Sequence, residues 1–355
     1  MFSFFSTKGP FKAKVASAGK EFTVENGHNL LKAALDNNLA WPHNCRVGSC
    51  GECRCRLVSG KIKPLADFSY VLNKEEIDSG MILACQTSLK SDIEIEVKMD
   101  TPTIPLSKPE TVDGTIIETK SLTHDILEVT IQVSNEFPNY VAGQYAEIVV
   151  PGVITKSRSY SFAKSPDKEK KNQVTFHIRH VPKGEFTTWL NSESREAQKV
   201  NVSGPFGSFW HRESPKEVIC IAGGSGMAPI KALLEHMMSQ GMTQQVTYLF
   251  GARSQKDLYC VEEMEEIAEL ANGKFKFIPV LSQEPEDSDW SGLRGYAVNH
   301  IDFAEDFASN THAYLCGPPA MIDGAIAAFN KKGLSNDDIF YDKFLDASSM
   351  EGGRA

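Results

Sequence analysis

Hydrophobic and polar positions alternate over short runs through the first hundred residues. FKAKVA and EFTVE flank Ala18, Gly19 and Lys20, which predicts a hairpin over residues 11–25. Leu30, Leu31, Ala34 and Leu35 recur at helical spacing, which predicts a short amphipathic helix over residues 29–38. Residues 55–58 read as a strand. Residues 93–97 alternate apolar and acidic side chains, as a strand with one wet face does. The pattern describes a small β-rich unit with one helix, ending near Met99.

Three prolines in DTPTIPLSKPE mark a linker. Beyond it GTIIETKSL, DILEVTIQV, AEIVV and VTFHIRHV are strand-like, with a short helix near residues 186–190, which predicts an antiparallel barrel. From about Lys216 the period changes. VICIA, VTYLFGA, FKFIPVLS and HAYLCG are short apolar runs, and helical stretches over 227–240, 261–272 and 319–332 lie between them. Strands alternating with helices imply a parallel α/β sheet. The expected fold class is therefore multidomain, α+β followed by α/β. The expected boundaries are 1–100, a linker over 101–110, a barrel over 111–212 and an α/β domain over 213–355.

A chain of 355 residues with 41% hydrophobic and 23% charged residues is ordinary for globular domains. No apolar stretch approaches a membrane span, and the opening MFSFF is too short for a signal-peptide core. A cytoplasmic monomer is expected. The net charge of −9 argues against nucleic acid or an anionic membrane as partner. Residues 1–100 carry 13 basic and 12 acidic side chains, a balance of +1, which leaves −10 for the remainder.

Four of the eight cysteines, Cys45, Cys50, Cys53 and Cys55, fall within eleven residues. Cys45 and Cys50 are separated by four residues, Cys50 and Cys53 by two, and Cys85 follows later. This is the spacing of plant-type [2Fe–2S] ligation, in which four thiolates surround two irons. Gly48 and Gly51 permit positive φ and let backbone N–H groups turn toward sulfur. Zinc or buried structural thiols are the alternatives, although structural zinc sites usually use two separated pairs. Cys55 is a bystander. His43 lies near the loop, but a Rieske centre would need two histidines. CRVGSCGEC together with LACQ resembles the plant-type ferredoxin domain over residues 11–99. The resemblance implies a β-grasp fold with Cys45, Cys50, Cys53 and Cys85 as ligands.

An Arg can pair with a pyrophosphate and a Tyr can cover an aromatic ring. Arg158, Ser159, Tyr160 and Ser161 offer these groups after a strand-like run, although a surface charge and a packed ring would look the same. Gly143-Gln144-Tyr145 precedes them; Gly184-Glu185-Phe186-Thr187 and Gly204-Pro205-Phe206-Gly207 follow. In this order the motifs resemble the FAD-binding barrel of the ferredoxin-NADP reductase superfamily. The resemblance implies Arg158 at the FAD diphosphate, Tyr160 against the flavin, Ser161 near its N5, and Gly184 and Thr187 at the phosphates.

Gly223, Gly224 and Gly226 open a helix directly after a strand, where a pyrophosphate can meet the helix N-terminus. A purely structural turn is the alternative. Cys316 and Gly317 end a later strand, and the resemblance places them by the nicotinamide ring. Arg253 and Ser254 could accept a 2′-phosphate. The run GARSQKDLY nevertheless resembles NADH-using oxygenase reductases, so NADH is expected, with NADPH open. Tyr341 and Phe344 in the tail are candidates for the flavin face or for ordinary packing.

The order iron–sulfur, FAD, NAD resembles the single-chain reductases of bacterial multicomponent oxygenases. It implies electron transfer from NADH through FAD and a [2Fe–2S] cluster to an oxygenase or hydroxylase component, with Ser161 and Cys316 near the reacting atoms. A reductase for a radical deoxysugar dehydratase shares this order. A zinc-stabilised or redox-sensing module is a non-enzymatic alternative. Arg46, Glu52 and Arg54 could face the partner, or be solvated loop charges.

Overall fold

The computed structural model describes residues 10–48, 50–99, 107–170, 172–301 and 306–344. The MFSFF opening, Ser49 of the cysteine loop and linker residues 101–106 lie outside the described residues. The chain divides into two compact units. One is Met1–Lys108 with the segment Phe206–Ser208, and the other is Pro109–Pro205 with Phe209–Ala355.

The first unit is built on a five-stranded sheet in the order Lys20–Val24, Phe11–Val15, Ile93–Glu96, Arg54–Ser59 and Met81–Leu83. The predicted hairpin forms, with a 3₁₀ turn over Ala16–Ala18 and Gly19 at φ 61°. Phe11–Val15 then pairs in parallel with Ile93–Glu96, which makes the sheet mixed. The predicted helix spans Leu30–Asp36, and the Asn29 side chain caps it by accepting from Lys32 N–H at 2.8 Å. Leu30, Leu31, Ala33 and Ala34 are buried and belong to one core with Val15, Phe22, Trp41 and Ile95. One helix packed on a mixed sheet is the β-grasp arrangement that the resemblance implied.

The second unit begins with a six-stranded antiparallel sheet. Its order is Ile154–Ser161, Tyr145–Val150, Lys199–Phe206, Glu110–Ser121, Ile126–Val133 and Gln173–Arg179. A bridge between Phe162 and Phe176 brings the two edge strands together, so the sheet closes as a barrel. Arg158, expected just after a strand, lies inside one. ITKSRSYS is too polar to read as a strand by itself, and its pairing with Tyr145–Val150 decides the matter.

A second six-stranded sheet follows, all parallel, in the order Leu293–Arg294, Phe275–Leu281, Val246–Ala252, Glu217–Gly223, Thr311–Gly317 and Ile339–Lys343. Every residue of Thr311–Gly317 is buried, as expected for a central parallel strand covered on both faces. The predicted helices form over Met227–Ser239, Val261–Leu270 and Pro319–Lys331. The tail supplies the edge strand Ile339–Lys343. No helix among the described residues is long and apolar enough to cross a membrane.

Candidate active site

The cysteine loop of the first unit turns through three left-handed residues, Arg46, Gly48 and Gly51, at φ 58°, 85° and 81°. An added Cβ at Gly48 would fall 2.5 Å from Gln86 Cγ, so the turn also lacks room for a side chain. The turn aims backbone donors at sulfur. Cys50 N–H donates to Cys45 Sγ at 3.3 Å, Glu52 N–H to Cys50 Sγ at 3.5 Å, and Cys85 N–H to Cys53 Sγ at 3.5 Å. Cys50, Cys53 and Cys85 are buried, and Cys45 is half-buried. A hydrogen bond with Cys45, then burial, pushes the Cys50 thiol up; Cys85 and burial do the same to Cys53. Bare thiols packed this closely hold their protons, and a metal centre displaces them. Four converging thiols with amide donors aimed at sulfur fit an iron–sulfur cluster.

Of the loop charges that could face a partner, Arg46 and Arg54 make contacts within the unit. The Arg46 guanidinium lies over the Phe206 ring at 3.9 Å, and Arg54 bonds Glu76 at 2.8 Å and the Gly51 carbonyl at 2.9 Å. Val47 at the loop tip is 60% exposed.

In the second unit, strand alternation puts Arg158 and Tyr160 on one face of Ile154–Ser161 and Ser159 and Ser161 on the other. Arg158 donates to the carbonyls of Lys156 and Ser157 at 3.3 and 3.0 Å. The Tyr160 ring lies 5.4 Å from that of Phe186 on the helix Glu185–Ser192. Gly184 is the N-cap of that helix. The Thr187 hydroxyl packs under it and bonds both Val181 N–H and the Val181 carbonyl at 3.1 Å. Thr187 thus fixes the loop that leads into the helix.

The glycine turn and the Cys316 strand meet by direct backbone contact. An added Cβ at Gly226 would fall 2.2 Å from the Cys316 carbonyl oxygen, and one at Gly317 would fall 3.0 Å from the Gly223 carbonyl. Parallel register sets Cys316 beside Asp342 and Gly317 beside Lys343, and Phe344 N–H donates to the Gly317 carbonyl at 2.9 Å. Ser161 Oγ donates to Asp342 Oδ2 at 3.2 Å, with both residues buried. Burial, then the nearby Asp342 carboxylate, pushes the Cys316 thiol well up. Cys316 therefore presents a neutral S–H at neutral pH. Ser161, Cys316, Asp342 and Phe344 form one cluster around this strand end.

Beside it opens a cavity of about 510 Å³, lined by Gly223, Gly224, Arg179, Arg253, Tyr296 and Met321 among others. It lies at the carboxyl ends of parallel strands, where α/β sheets bind ligands, and glycine backbone and two guanidinium groups in its wall fit a dinucleotide.

Comparison with known proteins agrees along the chain. Residues 13–90 match a 2Fe-2S iron-sulfur cluster binding domain, residues 113–211 an oxidoreductase FAD-binding domain, and residues 220–326 an oxidoreductase NAD-binding domain. The xylene/toluene monooxygenase electron transfer component of Pseudomonas putida is 36% identical over 333 residues, covering 94% of this chain and 93% of its own. The phenol 2-monooxygenase reductase component of Pseudomonas sp. (strain CF600) is 31% identical and is covered over 96% of its length. A crystal structure of an Amycolatopsis cytochrome P450 reductase superposes with a TM-score of 0.80 at 30% identity, over 95% of this chain and 99% of that one.

The chain belongs to the oxygenase reductase components. The reductase carries a [2Fe–2S] cluster, FAD and an NAD(H) site, and it is an oxidoreductase that transfers electrons to an oxygenase component. The cluster-domain match answers the zinc alternative. Sequence reasoning missed Asp342, although it lies inside the tail FYDKF; a lone acid among aromatic neighbours was the available signal. It also missed Asp125 and Arg179, whose role depends on contacts no local spacing reveals.

Proposed function

We propose that this reductase takes electrons from NADH and delivers them singly to a monooxygenase that oxidises an aromatic hydrocarbon. The observation that carries the reading is the 36% identity, over 94% of the chain, to a xylene/toluene monooxygenase electron transfer component. The relatives' names favour an oxygenase over a deoxysugar dehydratase as acceptor. Nicotinamide supplies a hydride, flavin accepts two electrons and releases them one at a time, and the cluster carries one.

The residues divide the work. Cys45, Cys50, Cys53 and Cys85 hold the cluster. Arg158, Ser159, Tyr160, Gly184 and Thr187 hold FAD, with Ser161 against the reacting ring. Gly223, Gly224 and Gly226 receive the dinucleotide phosphates, while Cys316 and Gly317 shape the nicotinamide pocket and Phe344 borders it. Asp342 orients the Ser161 hydroxyl through the 3.2 Å hydrogen bond. The domain boundaries 1–100, 111–212 and 213–355, with 101–110 as linker, are supported by the three family-model ranges, which fall inside them. Eight cysteines without a disulfide support a reducing, cytoplasmic setting.

Anaerobic titration with NADH tests the reading. Near-equimolar NADH is expected to bleach both the flavin and the iron–sulfur bands of the visible spectrum. Bleaching of flavin alone would overturn the electron path.

A further inference from the structure

The helix Met227–Ser239 opens on the glycine turn and buries one charged side chain. Its other buried residues are apolar, and Lys231 stands among them at 5% exposure. Glu235 follows one helical turn later on the same face, and Lys231 Nζ donates to its Oε1 at 2.5 Å. Neither group stops there. Lys231 Nζ also donates to the Ala163 carbonyl at 3.4 Å, and Glu235 Oε2 accepts from Ser165 N–H at 2.8 Å. Ala163 and Ser165 are buried and continue the chain from the strand Ile154–Ser161.

The barrel grips the same segment by its backbone. Phe162 N–H donates to the Gln144 carbonyl at 3.0 Å, and Ala163 N–H donates to the Thr175 carbonyl at 2.8 Å. The Ser165 carbonyl accepts from Lys168 N–H at 3.0 Å and from Glu169 N–H at 3.1 Å. Residues 162–165 are thus fixed to the barrel and, through the ion pair, to the helix. Burial works against the Lys231 charge, and Glu235, then Cys260 and Glu263, outweigh it, so the ammonium keeps its proton. A buried ion pair stabilises a fold no better than apolar side chains of similar volume. What the pair adds is direction, because charge-assisted hydrogen bonds resist a sliding motion that apolar packing tolerates.

We infer that Lys231 and Glu235 are positioning residues for hydride transfer, which tie the helix behind the glycine turn to the segment behind Ser161 and so set the approach of nicotinamide to flavin. In that step the C4–H bond of NADH breaks, the hydrogen and its electron pair pass to the flavin, and NAD⁺ is left. The glycine turn leads directly into the helix that carries Lys231, and Ser161 is two residues from Ala163. A slip at the tie therefore displaces the two reacting rings by a similar amount. A misplacement of about 1 Å costs on the order of a hundredfold in rate. The inference rests on the reading of Ser161 and the glycine turn as flavin and dinucleotide contacts.

The protein loaded with FAD and cluster is the material for the test. Combining Lys231→Met with Glu235→Leu replaces the pair by apolar side chains of similar size and removes the acceptor from Ser165 N–H. Amide hydrogen exchange over residues 162–168 is expected to quicken by about tenfold or more in this double variant. The limiting rate of flavin reduction at saturating NADH, read by stopped flow, is expected to fall by about tenfold or more, while the calorimetric Kd for NAD⁺ moves by less than about threefold. Glu235→Gln keeps an acceptor for Ser165 N–H and loses the ion pair. Its limiting rate is expected to lie between the two, and it carries the test if the double variant loses FAD. A pair with a structural role alone would lower the melting temperature and leave the limiting rate of the loaded protein unchanged. Limiting rates within about twofold of wild type in the variants that hold FAD would overturn the inference. So would unchanged exchange in the double variant, or a loss of NAD⁺ affinity as large as the loss of rate. Wild-type flavin that NADH fails to reduce would instead overturn the reading of the two sites, and the exchange data would still decide whether the tie exists.

Discussion

At the scale of the residue, one hydrogen bond joins two distant parts of the chain. Ser161 and Asp342 are 181 residues apart, yet their side chains meet at 3.2 Å in a buried setting. A buried hydroxyl that loses its partner costs about 1–3 kcal/mol. Asp342→Ala is expected to slow reduction of the flavin by NADH by roughly tenfold or more, the order seen when a positioning group is removed. Stopped-flow absorbance at the flavin band measures this. Asp342→Asn retains an acceptor oxygen for Ser161 and should recover part of the rate. Wild-type rates in both variants would remove Asp342 from the site. The neutral Cys316 thiol is consistent with a role in shape rather than in nucleophilic attack, since only the thiolate is a strong nucleophile.

At the scale of the element, the glycine turn over residues 223–226 works by closeness. Gly226 sits at φ −62°, a value any residue adopts, so backbone freedom is not what the position demands. What it demands is space, because the Cys316 carbonyl would lie 2.2 Å from a Cβ. Gly226→Ala is expected to destabilise the fold by about 1–3 kcal/mol through overpacking and to weaken NAD⁺ binding. Gly324 is the matching control. It lies in the helix Pro319–Lys331 with nothing within 4 Å of an added Cβ. Gly324→Ala should stabilise by roughly 0.5–1 kcal/mol through helix propensity. Thermal melts of the two variants moving in the same direction would refute the packing account.

At the scale of the whole molecule, the order of electron carriers is testable by breaking one link. Cys50→Ala is expected to abolish reduction of a one-electron protein acceptor while NADH–ferricyanide activity persists through the flavin. Parallel assays of the two acceptors, with FAD content checked by absorbance, read this directly. Loss of both activities with FAD still bound would reverse the assigned order.

What was legible in the sequence was whatever chemistry must be local. Three cluster thiols have to share one tight loop, so the spacing of Cys45, Cys50 and Cys53 announced the iron–sulfur domain. A glycine turn must directly join strand to helix, so residues 223–226 announced the nucleotide fold. Hydrophobic period carried the helices Met227–Ser239 and Pro319–Lys331 to within one residue of their ends. It failed at Ile154–Ser161, a polar run that is a strand because its backbone pairs with Tyr145–Val150. The tertiary structure alone decided which distant groups meet. It brought Asp342 to Ser161 and Asp125 to Arg253, 181 and 128 residues apart. Those meetings arise from strand order and barrel closure, and no spacing along the sequence encodes them.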